Sequence, residues 1–217
     1  MPASRSDEPS GGRSFPLRAR LLATAVAAAA LVLVLVLGLR QARPTERGFH
    51  APLVAAPFSR PPELGLPVLA VETMPDALRA AWTGALRDRR VDSAELPHGP
   101  VAINFWASWC AACREEAPLL ERAWRREGPD GALVLGVDVN DSQAGARAFL
   151  RRFGVRYPSL RESGDSSARR WEVSGLPSTF FLSARGRVIA RTIGRLHPGD
   201  VERGLAAARA GRVPAGY

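Results

Sequence analysis

Two short apolar runs, Val101-Ala102-Ile103-Asn104-Phe105-Trp106 and Ala132-Leu133-Val134-Leu135-Gly136-Val137, are nearly continuous in hydrophobic residues. Runs of that length predict strands buried on both faces. Two more, Ser178-Thr179-Phe180-Phe181-Leu182 and Val188 to Ile193, flank Arg185-Gly186, a turn signal that predicts a hairpin. Between and after these runs the pattern turns helical. Ala111 to Arg126 predicts a helix carrying an internal Pro118, and Ser142 to Phe153 a second, with Ala144, Ala148, Phe149 and Arg152 spaced for one face. Asp165 to Trp171 predicts a short helix, and Asp200 to Ala210, after Pro198, a closing one. The order is a βαβ unit followed by a ββα unit, which predicts an α/β sandwich: a central mixed β-sheet flanked by helices.

Upstream the pattern differs. Leu21 to Leu39 is apolar apart from Thr24 and has no polar face. At 1.5 Å per residue it spans roughly 28 Å, close to the hydrocarbon core of a bilayer. Gly38-Leu39-Arg40-Gln41-Ala42-Arg43 offers no small-x-small cleavage site, so a retained transmembrane helix is expected, with a cleaved signal peptide as the alternative. Pro44, Pro52, Pro57, Pro61, Pro62 and Pro67 predict a tether without regular helix or central strand. The expected division is a cytoplasmic segment 1–20, an anchor 21–39, a Pro-rich tether 40–67 and one domain 68–217. Within 68–97 two readings stand: a helix starting at Pro75-Asp76, or a β-hairpin before the core.

Charge changes this picture little. The net charge is +9, but every basic residue is arginine and the arginines are scattered rather than clustered among aromatics. Nucleic-acid binding, which needs a basic patch, is not expected. Arg5, Arg13, Arg18 and Arg20 precede the apolar span while Arg40, Arg43 and Arg47 follow it, so the positive-inside rule sets orientation only loosely.

The chemistry sits in Cys110 and Cys113, the only cysteines in the chain. Two cysteines cannot build a disulfide framework, nor alone a closed zinc site, and His50, His98 and His197 show no ligand spacing with them. No metal is expected. Cys110 follows a strand and opens a helix, where free N–H groups and the helix dipole favour thiolate over thiol. Cys113 lies one turn later, placed to resolve a mixed disulfide. A purely structural bridge closing so short a loop would remove little unfolded-state entropy. A tethered exchange domain serves best in an oxidising compartment, so residues 41–217 are expected on the periplasmic or extracytoplasmic side of the cytoplasmic membrane.

Phe105-Trp106-Ala107-Ser108-Trp109-Cys110-Ala111-Ala112-Cys113 resembles a thioredoxin active site, with Pro118 where thioredoxins kink the active-site helix. Arg114-Glu115-Glu116-Ala117-Pro118 is similar, more narrowly, to the membrane-anchored TlpA/ResA/CcmG (DsbE) branch, and the likeness spans about residues 98–211. The stretch from Asn140-Asp141 to Tyr157-Pro158-Ser159-Leu160 resembles that branch's extra helix and strand. The resemblance implies a thioredoxin-like fold, a redox-active Cys110–Cys113 disulfide and no cofactor. It implies a cis-proline at Leu176-Pro177 and a substrate groove lined by Trp109, Gly175, Leu176 and Pro177. Read alone, Pro177 is also compatible with an ordinary strand-start proline.

Thioredoxins carry a buried aspartate on the strand before the motif, where this chain has Asn104. The resemblance instead makes Glu116 the proton acceptor for Cys113; a solvated helix residue, like Glu115, is the plainer alternative. Two departures stand out: Ala112 replaces the proline common before the second cysteine, and Ser178 stands where some relatives have an acidic residue.

The reading that follows is a membrane-tethered thiol–disulfide oxidoreductase working as a reductase. Its expected partners are protein disulfides, apocytochrome c among them, and a membrane thiol–disulfide transporter as electron donor. A disulfide oxidant or isomerase, a non-enzymatic thioredoxin-like adaptor and a metallochaperone are the alternatives. Ala111 and Ala112 place no charge between the sulfurs, which argues against a strong oxidant.

Overall fold

A computed structural model of the chain describes residues 28–33 and 53–212. Residues 28–33 are helical and form part of a unit separate from the one that begins at Phe49. The rest of the expected span 21–39 lies outside the described residues, among which no helix is long and apolar enough to cross a membrane.

The second unit is built on one seven-stranded sheet. In chain order the strands are β1 (Leu66–Ala70), β2 (Arg90–Val91), β3 (Val101–Trp106), β4 (Leu133–Asp138), β5 (Ser159–Arg161), β6 (Ser178–Leu182) and β7 (Val188–Ile193). Their order across the sheet is β2-β1-β5-β4-β3-β6-β7. β3 runs parallel to β4, and β4 parallel to β5; the remaining pairs are antiparallel. The sheet is mixed, as the pattern of apolar runs predicts, and β3, β6 and β7 have the predicted limits. The helices are α1 (Asp76–Arg79), α2 (Thr83–Asp88), α3 (Ala111–Glu127), α4 (Gln143–Phe153), α5 (Ser166–Arg170) and α6 (Asp200–Ala210).

β3 and β4 are buried at every residue because both faces of the sheet are covered. On one face Asn104 meets Glu116 of α3, and the ring of Phe181 lies where a Cβ at Gly204 of α6 would fall 2.1 Å from it. Any side chain at Gly204 would therefore displace the Phe181 ring or push α6 off the sheet. On the other face Phe105 and Phe180 form an aromatic cluster with Trp171 and Phe58. Burying each of these rings contributes roughly 2–3 kcal/mol.

Three expectations change. The segment 68–97 holds both of its proposed readings: β1 and β2 pair as antiparallel strands, and α1 and α2 fill the connection between them. Second, the folded part starts before residue 68. Leu53 and Leu64 are buried, Val54 bridges Arg191, and the Val188 N–H donates to the Ser59 carbonyl, so residues 53–64 cover the outer edge of β7 and Phe58 plugs the aromatic cluster. Pro67, assigned to the tether, lies inside β1 opposite Arg90. β2 is only two residues long, and the next ladder bond there is donated by Val68, so the missing proline N–H costs little. Third, α4 buries Ala146, Phe149 and Leu150, while Ala144, Ala148 and Arg152 are exposed. The helix is turned about Phe149, whose ring stacks on Trp106 at 4.4 Å and fixes which stripe faces inward.

Candidate redox site

β3 ends at Trp106, and the Ala107-Ser108-Trp109 turn leads into α3, whose N-cap is Cys110. The Cys110 N–H donates to the Ala107 carbonyl, and the Cys110 Sγ accepts the Cys113 N–H at 3.1 Å. Cys110 and Cys113 are joined in a disulfide. Cys110 keeps 6% exposure against 1% for Cys113, so an incoming sulfur meets Cys110 first. With the bridge open, the Cys113 N–H and the helix dipole remain aimed at the Cys110 sulfur, and both favour its thiolate. Pro118 stands inside α3 and withholds the N–H that would bond to the Arg114 carbonyl.

Glu116 follows one turn after Cys113 and is fully buried, whereas its neighbour Glu115 is exposed and pairs with Arg195. The solvated alternative for Glu116 is thus excluded. Its Oε1 accepts from the Asn104 Nδ2 at 2.7 Å and its Oε2 from the Leu196 N–H at 2.8 Å. Asn104 also donates to the Thr179 hydroxyl at 3.0 Å. Burial raises the Glu116 carboxyl from 4.5 to about 8; the Leu196 and Asn104 bonds and the Arg195 charge oppose the rise, while Asp200 adds to it. An amide has a donor end and an acceptor end, so Asn104 is able to serve either state of Glu116. Asn104 was legible as a departure from the thioredoxin aspartate; its role as the partner of Glu116 was not.

The Leu176–Pro177 bond is cis. Phe105 pairs with Ser178, so the antiparallel register sets Pro177 level with Trp106, at the end of the sheet from which Cys110 emerges. Pro177 is buried, Leu176 half-buried and Gly175 exposed, and the Ser178 hydroxyl donates to the Gly175 carbonyl at 2.7 Å. Trp109 is 56% exposed and lies toward the other flank: its indole N–H donates to the Asn140 carbonyl, in the loop after β4. The expected groove residues therefore bracket the disulfide, Gly175–Pro177 from the β6 side and Trp109 from the β4 side.

Three residues near the pair escaped the sequence reading. Asp141 Oδ2 accepts the Ser108 N–H at 2.6 Å, and Arg114 donates to the Ser108 carbonyl through Nε at 3.1 Å and Nη2 at 2.9 Å. Asp138, the last residue of β4, is buried and lies in register with Trp106. The available signal was a carboxyl closing an apolar strand between Val137 and Val139.

Residues 73–191 match the AhpC/TSA family. The chain is 34% identical over 131 residues to the thiol:disulfide interchange protein HelX of Rhodobacter capsulatus, covering 57% of this chain and 72% of that one. It is 26% identical over 108 residues to the thiol-disulfide oxidoreductase ResA of Bacillus subtilis, a match covering 50% of this chain and 60% of ResA. Among solved structures, a DsbF homologue from Corynebacterium diphtheriae superposes with a TM-score of 0.56 at 22% identity, over 75% of this chain and 96% of that one. At that identity the last match speaks for the fold alone, which is thioredoxin-like.

Proposed function

From a chain that belongs to the AhpC/TSA family, in its TlpA/ResA/CcmG branch of thioredoxin-like proteins, we propose a thiol–disulfide oxidoreductase working as a reductase of protein disulfides. The observation that carries the reading is Cys110 at the N-cap of α3, its sulfur bonded to Cys113 and facing the Cys113 N–H, with buried Glu116 one turn on.

In the reduced protein the Cys110 thiolate attacks one sulfur of a substrate disulfide. That S–S bond breaks, a mixed disulfide forms, and the departing thiolate takes a proton from solvent. Cys113 then loses its proton to Glu116 and attacks the Cys110 sulfur, closing Cys110–Cys113 and releasing the second substrate sulfur as a thiolate, which takes up the proton that Glu116 gives back through solvent. Two electrons pass to the substrate. A carboxyl that titrates near pH 8 suits this exchange, since it gives and takes a proton close to neutrality. Gly175, Leu176 and Pro177 on one flank and Trp109 on the other receive the substrate chain.

The apolar length of residues 21–39 supports a retained single-pass anchor, and the oxidising requirement of a disulfide substrate supports a domain on the extracytoplasmic side. In that setting the substrate class is an oxidised Cys-x-x-Cys-His segment awaiting haem attachment, as in an apocytochrome c, and a membrane thiol transporter returns the electrons. The absence of charge at Ala111 and Ala112 favours reduction over oxidation.

The test is capture. Cys113→Ala leaves the mixed disulfide on Cys110 unresolved, so substrates stay attached in cells and are identified after purification. Apocytochrome c among them supports the reading. Recovery of unrelated proteins alone rules out that substrate class, and failure of the reduced wild type to open any protein disulfide removes the reductase itself.

A further inference from the structure

Asp138 closes β4 with Trp106 of β3 opposite it on one side and Arg161 of β5 on the other. It is fully buried, and among the described residues neither of its carboxyl oxygens meets a hydrogen-bond donor. The Arg161 Nε stands 3.9 Å from Oδ2, beyond hydrogen-bond reach, and is itself without an acceptor. A carboxylate left this way would carry an uncompensated desolvation cost. Burial raises the group from 3.8 to about 8; the charge of Asp141 and a bond to its side chain add to the rise, and Arg161 opposes it.

Two carboxyls bond to each other only through a proton, because both are otherwise acceptors. The partner here is Asp141, in the loop between β4 and α4. Its other contacts are fixed: Oδ2 takes the Ser108 N–H, Oδ1 takes the Ser142 N–H at 2.7 Å, and its backbone carbonyl accepts from Arg161 Nη2 at 3.0 Å. Ser108 lies two residues before Cys110 in the turn that delivers the sulfur.

We propose that Asp138 is a positioning residue for Cys110: as a neutral acid it donates its proton to Asp141, which in turn holds the Ser108 N–H and the turn that presents the sulfur. The proposal rests on the exchange reaction put forward above. The charged groups that face Asp138 are Asp141 from the loop and Arg161 from β5, while β3 contributes the uncharged indole of Trp106. When Asp138 ionises, two carboxylates confront one guanidinium in a buried space. Asp141 is driven away from Ser108, and the turn before Cys110 loosens. Glu116 has no part in this, because its partners Asn104 and Leu196 belong to β3 and the loop after β7.

Two measurements test it. The Ser108 amide shift in the oxidised protein, followed by ¹⁵N NMR from about pH 6 to about pH 9.5, titrates in the wild type and in Glu116→Gln and is flat in Asp138→Asn. In the reduced protein the rate of attack on a small aromatic disulfide, divided by the thiolate fraction of Cys110, falls about threefold over that range in the wild type and stays level in Asp138→Asn. A wild type that attacks the disulfide while its Ser108 amide stays flat overturns the positioning role and leaves the exchange reading standing. So does an Asp138→Asn variant that tracks the wild type in both measurements. A wild type that attacks no disulfide overturns the exchange reading instead. Should Asp138→Asn fail to fold, Asp141→Asn decides: a Ser108 amide that still titrates there overturns the proposal, and one that no longer titrates supports it.

Discussion

Two buried carboxyls flank the disulfide, Glu116 behind Cys113 and Asp138 behind the turn before Cys110, and burial lifts both to about 8. Their surroundings are opposite. Glu116 sits among donors that are ready for its ionised form, and those donors hold its rise in check. Asp138 has no donor and a carboxylate neighbour, which drives it the same way as burial does. Raised affinities for a proton thus arise from different causes, and the causes separate the roles. A carboxyl whose ionised state has waiting partners is able to cycle its proton during a reaction. One whose ionised state has a carboxylate neighbour, no hydrogen-bond donor and the Arg161 charge alone in its favour holds its neighbours in place only while it stays neutral.

The comparison has chemical meaning only if Cys110 is the nucleophile. Cys110→Ser is expected to lower disulfide reduction on the order of 10³-fold or more, because a hydroxyl neither ionises near neutrality nor forms the mixed disulfide. Reduction of insulin by the wild type and the variant checks this. A variant that keeps its activity would leave both carboxyls without a reaction to serve.

Glu116→Gln is the sharper cut. It keeps the size of the side chain and removes the proton, so the resolving step loses about 10²-fold, within the range of general acid–base catalysis. Because the first attack belongs to Cys110, single-turnover kinetics should show the mixed disulfide forming at its normal rate and then persisting. A slowed first step instead would shift the role of Glu116 from Cys113 to Cys110.

Stability registers the two groups together. Each carboxyl binds its proton more tightly folded than unfolded, so between about pH 4.5 and pH 8 the unfolded chain has released a proton that the folded one retains. Stability therefore falls as pH rises through that window and levels off above it. The shifts correspond to several kcal/mol for each group, on the order of 5. Urea midpoints of the oxidised protein are expected to be higher at pH 5 than at pH 8, and Glu116→Gln and Asp138→Asn each to flatten the slope. A wild-type midpoint that does not fall with pH over the same interval would show that neither group binds its proton more tightly in the fold than in the unfolded chain.

Glu116 was legible in the sequence and Asp138 was not, for a physical reason. Glu116 lies at a fixed helical spacing from Cys113, and the family resemblance assigns a proton acceptor to that spacing. Asp138 reaches the site through strand register, since β3 and β4 are brought side by side by a pairing that local pattern does not encode. The same divide runs through the fold. β3, β6, β7 and α6 lie where continuous apolar runs and Pro/Gly punctuation put them. The inner face of α4 was misjudged because four spaced residues fit a helix of any rotation, and only Trp106 meeting Phe149 selects one. Residues 53–64 read as tether because prolines exclude regular strands, yet irregular chain is able to cover a sheet edge by exchanging two hydrogen bonds between Val54 and Arg191 and accepting one from Val188.

The smallest expected effect lies on the other side of the same residue that Asp141 holds. Ser108 is gripped at its N–H by a carboxylate and at its carbonyl by the forked guanidinium of Arg114. Arg114 is exposed, so water replaces its bonds readily, and the grip contributes about 1 kcal/mol or less. Arg114→Lys keeps a positive charge at the start of α3 and loses the fork. It is expected to slow attack by Cys110 about twofold. The pH dependence of the Ser108 amide is expected to remain, because the Asp138–Asp141 side is untouched. If Arg114→Lys abolishes that titration, the carbonyl side holds the turn, and the contrast between the two carboxyls no longer explains how Cys110 is placed.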